Sequence, residues 1–411
     1  LVLFGTIGDM NTDGRLNAIE LFAGGGGLML GTALAGFEHV AAIEWEHNCC
    51  QTLRLNQAAG YPLIGDTTII ESDVRKVDWS LAPDDLDLLA GGPPCQPFSL
   101  GGLARAALDP RDMFPAYTEV LSRLKPRAFI VENVKGLTRE SFRDYYDYIL
   151  MRLQHPLVKA KEDETWREHA ERLSREHTAG IHDELRYEVV PTIVDAADYG
   201  VAQRRHRVIM VGFRSDVEAQ WSFPRPTHSQ AALFEAQEDG RYWAWHNMKT
   251  GAGIKGKAGD SSLRPWRTVR DALWGLPDPH EKKASAKFLN HVLRTGAKMY
   301  AGHTGSPLDE PSKAIKAGVH GVPGGENMMR FSNGHVRYYT AREAARIQGF
   351  PDGYEFSGAW SEALRQIGNA VPVELARVVA SSVAVALHED TARKEMNEEL
   401  SLLSEVEHEA A

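Results

Sequence analysis

Four short apolar runs divide the first third of the chain, and small or polar residues follow each of them. The runs cover residues 18–22, 39–43, 87–90 and 128–131, with helical patterns between them. Strands that alternate with helices are typical of a mostly parallel sheet with right-handed crossovers. We therefore predict an α/β fold, and we expect its ligands at the carboxyl ends of the strands.

The hydrophobic pattern changes further along the chain. Residues 155–185 are charge-dense and helical in pattern, which predicts a solvated surface helix, and strand-like runs return at 187–214. From about residue 221 periodicity weakens while Gly, Pro, Trp, Lys and Arg become frequent, so we place a second, smaller and irregular domain there. Helical patterns resume at 339–347 and 373–387, and we expect the acidic end of the chain to fray.

Composition narrows the class of protein. Of 411 residues, 43% are hydrophobic and 25% charged, as in ordinary globular proteins. There is no apolar run of about 18 residues, so no membrane span is expected. The N-terminus does not resemble a secretory signal. Three cysteines predict neither a disulfide framework nor a zinc set, and we expect a cytoplasmic protein.

Charge is distributed unevenly along the chain. The net charge of −10 argues against indiscriminate nucleic-acid binding. Residues 388–411 nevertheless carry eight Asp or Glu and two Lys or Arg, whereas residues 241–300 carry twelve Lys or Arg and four Asp or Glu. An acidic average therefore conceals a basic middle region.

A glycine-rich loop follows the first predicted strand and opens a helix. Four consecutive glycines, residues 24–27, would let a ligand approach the backbone closely. Glu44, at the end of the next strand, fits an acceptor for ribose hydroxyls. Trp45 offers a face for adenine, and Asp73 could accept from its amino group. These residues predict an adenosine pocket for a dinucleotide or for S-adenosylmethionine, although the loop is not a clean G-x-G-x-x-G fingerprint.

The most specific stretch surrounds Cys95. Two prolines stiffen the backbone immediately before this cysteine, and Pro97 follows it. Because only a few per cent of a free thiol is thiolate at neutral pH, a nucleophile here needs a positive neighbour. Cys49 and Cys50 lie in a helical stretch, where we expect them to pack in the core.

Charged residues also mark the fourth strand and a later one. Glu132 ends a buried type of strand, where a carboxylate is costly without a partner or a role. In extended chain, Arg205 and Arg207 face one side of the strand and Arg204 the other.

In this order, these blocks resemble the DNA (cytosine-5)-methyltransferases, and the resemblance runs from residue 18 to about 387, excepting the variable middle. Glu20 stands where that family commonly has Asp, and Met113 stands where Leu is usual. The matching blocks are Glu20-Leu21-Phe22-Ala23-Gly24 with Gly26-Gly27, Glu44-Trp45, Asp73, Pro93-Pro94-Cys95-Gln96, Asp109-Pro110-Arg111, Glu132-Asn133-Val134, Gln203 with Arg205 and Arg207, Arg342-Glu343, Gln348-Gly349-Phe350-Pro351, and Gln366-Ile367-Gly368-Asn369-Ala370-Val371-Pro372.

The resemblance implies a Rossmann-like methyltransferase domain with a mostly parallel sheet, a smaller target-recognition domain, S-adenosylmethionine as cofactor and no metal. The implied segments are an N-terminal extension (1–17), the first part of the catalytic domain (18–215), the target-recognition domain (216–334), a return to the catalytic domain (335–390) and an acidic tail (391–411). The implied cofactor-binding residues are Phe22, Ala23, Gly24, Gly26, Gly27, Leu28, Glu44, Trp45, Asp73, Val74, Pro94, Met113, Asn369 and Val371.

The family's chemistry is covalent. By resemblance, the Cys95 thiolate adds to carbon 6 of a cytosine that has been flipped out of the duplex. Glu132 then contacts ring nitrogen 3 and the exocyclic amine. Arg205 and Arg207 hold the carbonyl oxygen of the base or a nearby phosphate and favour the thiolate, with Arg207 as the first choice for the base and Arg205 as the second.

The resemblance also implies double-stranded DNA as the partner, with a cognate restriction endonuclease as a further candidate, and we expect a monomer acting at the nucleoid of a prokaryote. We expect Trp243, Trp245 and Trp266 to be core residues rather than base-stacking ones. The candidate DNA-binding residues are Gln96, Ser99, Arg105, Arg111, Arg241, Lys255, Lys257, Arg264 and Arg267.

Three alternatives stay open from the sequence. A transfer-RNA cytosine-5 methyltransferase would share these blocks, although the large basic region favours DNA. A catalytically inactive binding regulator on the same fold is disfavoured by the presence of Cys95, Glu132 and Arg207. A nicotinamide dehydrogenase is disfavoured by the missing dinucleotide fingerprint and by the Pro-Pro-Cys block.

Overall fold

The computed structural model describes residues 15–94, 112–180, 185–256, 262–281, 284–317 and 327–409. The candidate residues Cys95, Gln96, Ser99, Arg105, Arg111 and Lys257 lie outside these ranges.

A seven-stranded sheet forms the centre of the protein, with strand order β3-β2-β1-β4-β5-β8-β6. All neighbouring strands are parallel except β8, which is antiparallel to both β5 and β6. The prediction of a mostly parallel sheet is confirmed. Its strands are β1 (Leu16–Leu21), β2 (Phe37–Glu44), β3 (Thr68–Glu71), β4 (Leu88–Gly91), β5 (Ala128–Val134), β6 (Tyr187–Asp195) and β8 (His206–Arg214).

Helices cover both faces of the sheet. Side chains alternate along β1, so that Ile19 packs with α3 and α4 on one face, while Ala18 packs with α1 and α12 on the other. The helices are α1 (Gly27–Leu34), α2 (His47–Ala58), α3 (Phe114–Leu124), α4 (Arg143–Gln154), α5 (Trp166–Thr178), α6 (Gln230–Glu238), α7 (Arg241–Trp245), α8 (Val269–Leu273), α9 (Ala284–Lys287), α10 (Ala341–Ile347), α11 (Trp360–Asn369) and α12 (Val373–Glu409).

The middle of the chain has little regular structure and a small core of its own. This core includes Leu233, Trp243 and Trp266. Trp245, in contrast, is 75% exposed, so our placement of it in the core was wrong. The remaining strands are short: β7 (Gln203–Arg204), β9 (His228–Ser229), β10 (Arg264–Pro265), β11 (Ser306–Pro307), β12 (Ser312–Lys313), β13 (Met328–Arg330) and β14 (Val336–Tyr338).

Two helices differ from their sequence predictions. Helix α5 is amphipathic rather than fully solvated, because it buries His169 and Leu173 beside α4. Helix α12 continues to Glu409, so the expected fraying of the acidic end is not seen. The helical stretch Trp360–Glu405 includes a window long and apolar enough to cross a bilayer. However, 67% of that window is buried inside the protein, as in a core helix.

Candidate active site

The candidate residues gather at one edge of the sheet because neighbouring parallel strands end together. The last residue of β1, Leu21, lies beside Ile43 of β2 and beside Gly91 of β4, and Gly91 lies beside Val131 of β5. Directly after these positions in the sequence come the glycine loop, Glu44, the Pro93-Pro94 segment and Glu132. This is the edge at which open α/β sheets bind ligands.

The glycine loop leaves β1 in a conformation that few side chains tolerate. Gly24 and Gly26 both have positive φ, at 54° and 85°. A Cβ on Gly24 would meet no atom within 4 Å, so the backbone there borders open space. A Cβ on Gly26 would lie 2.7 Å from the Tyr354 hydroxyl, and one on Gly27 would lie 2.4 Å from the Val371 carbonyl oxygen. The first glycine thus leaves room for a ligand, and the next two allow close packing of the protein itself.

Glu44 organises this loop. One carboxylate oxygen accepts the Gly24 backbone N–H at 2.8 Å, and the other accepts the N–H groups of Trp45 and Glu46 at 2.9 and 2.8 Å. Burial raises the pKa of the Glu44 carboxyl, against the opposing effect of these hydrogen bonds. Beside it, the Trp45 side chain is 74% exposed, which leaves its ring face accessible to a ligand.

The other predicted adenosine residues lie in different surroundings. The Asp73 carboxylate pairs with Arg75, whose hydrogen bonds lower the pKa of Asp73 to about 2. Val74 is buried in the core that also contains Ile43. Asn369 is exposed at the end of α11, and Val371 packs against the start of α1. The fold thus brings the 369–371 segment to the glycine loop from the far end of the chain.

Pro94 and Met113 flank the segment that carries Cys95. The Met113 backbone N–H donates to the Pro94 carbonyl oxygen at 3.1 Å. The side-chain amide of Asn133 donates to the Pro93 carbonyl oxygen at 2.9 Å. Both flanks of the 95–111 segment are therefore held together at the end of β4, beside the end of β5.

Glu132 and Arg207 form a buried ion pair at this edge. Glu132 is 8% exposed, and its carboxylate contacts the Arg207 Nε. The pair forms because β5 and β8 are antiparallel, which places Val134 opposite Arg207 and Glu132 two positions away. A Cβ on Gly92 would lie 3.3 Å from the Glu132 carboxylate, so a glycine lets β4 approach it. The sequence singled out both charges, and the structure brings them together.

Arg205 has a different environment from the one expected for a group that holds the base. It is 2% exposed, and its guanidinium donates to the carbonyl oxygens of Ile315 (3.0 Å), Gly368 (2.7 Å) and Ala370 (3.2 Å). Burial lowers its pKa. Since its terminal donors are used on backbone carbonyls, the geometry assigns Arg205 to holding segments together.

The predicted orientation of the three arginines is confirmed. Arg204 is 49% exposed in its side chain and contacts Asp195, while Arg205 and Arg207 point inward.

Two buried glutamines join the same junction, and sequence reasoning gave neither a role. The Gln203 amide donates to the Gln348 side-chain oxygen at 2.8 Å and accepts the Ile315 N–H at 2.7 Å. Gln348 in turn donates to the Ile367 carbonyl oxygen at 2.6 Å. Both glutamines lie in blocks that resemble the family's, and this was the signal in the sequence that could have identified them. A buried side-chain amide needs hydrogen-bond partners.

The described candidates for DNA contact are exposed in the middle region. Lys255, Arg264 and Arg267 present their side chains to solvent. Arg241 is also exposed, but it pairs with Asp239 at 2.6 Å. Across the residues with described positions, no group of three or more His, Cys, Asp or Glu is arranged to hold a metal ion.

Comparison with known proteins identifies the family. The sequence profile of C-5 cytosine-specific DNA methylases matches residues 16–155 and 167–384. The type II methyltransferase M.NgoMIV of Neisseria gonorrhoeae is 29% identical over 381 residues, which are 92% of this chain and 99% of that protein. M.AquIA of Picosynechococcus sp. is 31% identical over 277 residues, which are 67% of this chain and 95% of that protein.

Solved structures share the fold. A DNA modification methyltransferase encoded within an E. coli prophage is 21% identical, with a TM-score of 0.54, over 91% of this chain and all of that one. The S. pombe Dnmt2 methyltransferase is 19% identical, with a TM-score of 0.55, over 91% of this chain and 99% of that one. With the site at the sheet edge and a profile that matches most of the sequence, the chain belongs to the C-5 cytosine-specific DNA methylase family.

Proposed function

We propose that this protein transfers a methyl group from S-adenosylmethionine to carbon 5 of a cytosine flipped out of double-stranded DNA, as the modification enzyme of a bacterial or phage system. The observation that carries the proposal is the buried ion pair of Glu132 with Arg207. It lies beside the fixed Pro93-Pro94 segment that leads to Cys95. A carboxylate and a guanidinium at the sheet edge, with a cysteine next in sequence after Pro94, are the groups that this chemistry needs.

The residues at the glycine loop fit S-adenosylmethionine. Gly24 leaves open space against the backbone, Glu44 is a buried acceptor near it, and Trp45 offers an exposed ring. The cofactor supplies an electrophilic methyl group when it is bound. We assign further cofactor contacts to Pro94 and Met113, whose mutual backbone hydrogen bond fixes their spacing.

The chain's own groups account for the activation of cytosine. Carbon 5 is a poor nucleophile, and addition of the Cys95 thiolate to carbon 6 makes carbon 5 enamine-like. A proton passes by way of Glu132 to nitrogen 3 as the thiolate adds, and it returns by the same way when the thiolate leaves. The Glu132 carboxylate also accepts a hydrogen bond from the exocyclic amine. Arg207 holds the carbonyl oxygen of the base and orients Glu132 through their ion pair. After methyl transfer, water removes the carbon-5 proton and the thiolate leaves.

We assign target recognition to residues 216–334. Phosphate contacts supply affinity, and contacts to base edges supply sequence preference. The exposed cations Lys255, Arg264 and Arg267 support DNA contact by this region. We place the enzyme in the cytoplasm as a monomer, with a cognate restriction endonuclease as the partner of the system. Lys257 and the polar residues of the 95–111 segment complete the proposed DNA surface.

The test is bisulfite sequencing of DNA from cells that express the chain. Wild type should protect cytosine at one short sequence, and Cys95→Ser should protect none while retaining its thermal midpoint. Purified wild type should also form a covalent complex with a duplex that carries 5-fluorocytosine at that position, because fluorine cannot leave as a proton does.

Cys49→Ala is the matched control for this test. Cys49 is buried, and burial with nearby carboxylates raises the pKa of its thiol, so its removal should leave methylation intact. Residual methylation by Cys95→Ser at a few per cent of wild type would refute the nucleophile assignment. Methylation of transfer RNA in place of duplex DNA would refute the substrate.

A further inference from the structure

A single tyrosine hydroxyl is connected to both flanks of the segment that carries Cys95. Tyr145, on α4, donates a hydrogen bond to one oxygen of the Asp112 carboxylate. The other Asp112 oxygen accepts the Phe114 N–H at 3.1 Å, at the start of α3. Met113, which lies between Asp112 and Phe114 in the sequence, donates its backbone N–H to the Pro94 carbonyl oxygen at 3.1 Å. A change at the hydroxyl can therefore shift Met113 and Pro94 together.

The ring of Tyr145 is held by aromatic neighbours. Tyr145 is 5% exposed, and the Trp166 ring meets it edge-on, with centroids 5.1 Å apart. The ring of Tyr148, three residues further along α4, has its centroid 5.8 Å from that of Tyr145. The Tyr148 hydroxyl is 2.9 Å from His169 Nδ1, and the other ring nitrogen of His169 is 3.0 Å from the Val158 carbonyl oxygen. These contacts fasten residues 155–180 to α4 and leave the Tyr145 ring little freedom.

Part of the support behind Tyr145 lies outside the stretches that match the family profile. Residues 156–166 fall between the two stretches that match the family profile, and Trp166 is the last of them. The segment is nevertheless ordered by its own interactions. Thr165 caps α5 in a reciprocal arrangement with Glu168, and Arg172 pairs with Glu164 at 2.7 Å. Through Trp166, this segment packs against one side of the Tyr145 ring and holds it in place.

We propose that Tyr145 is a positioning residue for methyl transfer. Its hydroxyl fixes Asp112, and Asp112 fixes the Met113–Pro94 connection that sets the cofactor side of the catalytic segment. Trp166 holds the tyrosine ring in place. This inference rests on the proposed function, because Met113 and Pro94 are assigned to the cofactor there.

The test compares Tyr145→Phe with Tyr148→Phe. Both variants remove one buried hydroxyl from the same helix, but only the first hydroxyl reaches Asp112. For Tyr145→Phe we expect the KM for S-adenosylmethionine, and the calorimetric Kd for S-adenosylhomocysteine, to rise about three- to tenfold, as for a lost hydrogen bond to a charged acceptor. We expect unchanged affinity for DNA. Tyr148→Phe should leave both cofactor constants at wild-type values.

A second variant tests the support. Trp166→Leu keeps an apolar side chain but removes the edge-on ring contact, so we expect the KM for S-adenosylmethionine to rise by a smaller factor. Equal loss of thermal midpoint in both tyrosine variants, with unchanged cofactor constants, would overturn the inference and leave a merely structural role. If wild type binds S-adenosylhomocysteine yet methylates no DNA, the proposed function fails, while the calorimetry still decides the role of Tyr145.

Discussion

Glu44 illustrates, at the scale of a single residue, how one carboxylate can organise a loop beside the proposed cofactor pocket. Its two oxygens accept backbone N–H groups from Gly24, Trp45 and Glu46, and these hydrogen bonds fix the start of the glycine loop. Burial nevertheless raises its pKa above the ordinary value of 4.5. The folded protein therefore holds this proton more tightly than the unfolded chain does. Ionisation of Glu44 therefore lowers the free energy of unfolding. This loss is absent below pH 4.5 and complete above the pKa of Glu44 in the folded protein.

Cofactor affinity should depend on pH through this group. We expect the Kd for S-adenosylhomocysteine to rise as pH falls from 7, beginning at a higher pH than an ordinary glutamate would give, because protonated Glu44 loses its charge as an acceptor. Trp45 fluorescence or calorimetry measures the effect. Glu44→Gln should weaken binding by about 1–3 kcal/mol and remove this step. A step of the same size in Glu44→Gln would assign the titration to another group.

Asp73 does not interfere with that measurement. Its pairing with Arg75 lowers its pKa to about 2, so it keeps its charge over the whole range between pH 5 and 7.

At the scale of elements, Arg205 joins pieces of the fold that are far apart in sequence. It lies just before β8, and its guanidinium reaches the carbonyl of Ile315 and those of Gly368 and Ala370 at the end of α11. Carbonyls at a helix end have no partner within the helix. Arg205 supplies one, and it does so beside the segment that approaches the glycine loop. Arg205 therefore stabilises the fold next to the candidate active site, by joining Ile315 to the end of α11.

Substitution should separate this role from that of its exposed neighbour. Arg205→Met should lower the free energy of unfolding by about 3 kcal/mol or more, because it removes the guanidinium donor from the buried carbonyls of Ile315 and Gly368, while Ala370 keeps the donor of Gln348. Arg204→Met should lower it by at most about 1 kcal/mol, since that ion pair is half exposed. Urea unfolding followed by near-ultraviolet circular dichroism measures both values. Similar losses in the two variants would contradict the architectural role of Arg205.

At the scale of the whole molecule, opposite charges occupy different regions. The net charge is −10, yet residues 241–300 have a basic excess, and the last turns of α12 are acidic. An acidic protein that binds DNA concentrates its positive charge on one face. Binding should therefore weaken steeply as salt rises, since each neutralised phosphate releases counterions.

Exchange of the recognition region tests where sequence preference resides. The exchanged segment should end before residue 306, because the residues that follow contact the catalytic part of the chain. Strand β12 pairs with β7, and Ile315 contacts both Gln203 and Arg205. Replacing residues 216–305 with the matching region of a relative of different specificity should move the methylated site, read by bisulfite sequencing, to that of the donor. An active chimera that keeps the original site would place recognition in the 95–111 segment or in the 155–185 region.

The sequence by itself determined the sheet, the edge of the sheet at which the candidate residues gather, and the family. These follow from local signals: apolar runs, glycines where a strand gives way to a helix, and short motifs that occur in the family's order along the sequence, such as Pro93-Pro94-Cys95-Gln96. It also determined that Arg205 and Arg207 point to one side, because side chains alternate in extended chain. Such features depend on neighbours in the sequence, so they can be predicted without knowing the fold.

Only the tertiary structure decided which groups meet. Arg207 pairs with Glu132 because β5 and β8 are antiparallel, while Arg205, two residues earlier, is used on distant carbonyls. Trp245 is exposed where Trp243 is buried, and Tyr145 on α4 reaches Asp112, two residues before the start of α3. The partners in these contacts are separated by long stretches of chain or by helix packing. No local pattern records them, because they arise only when the core closes.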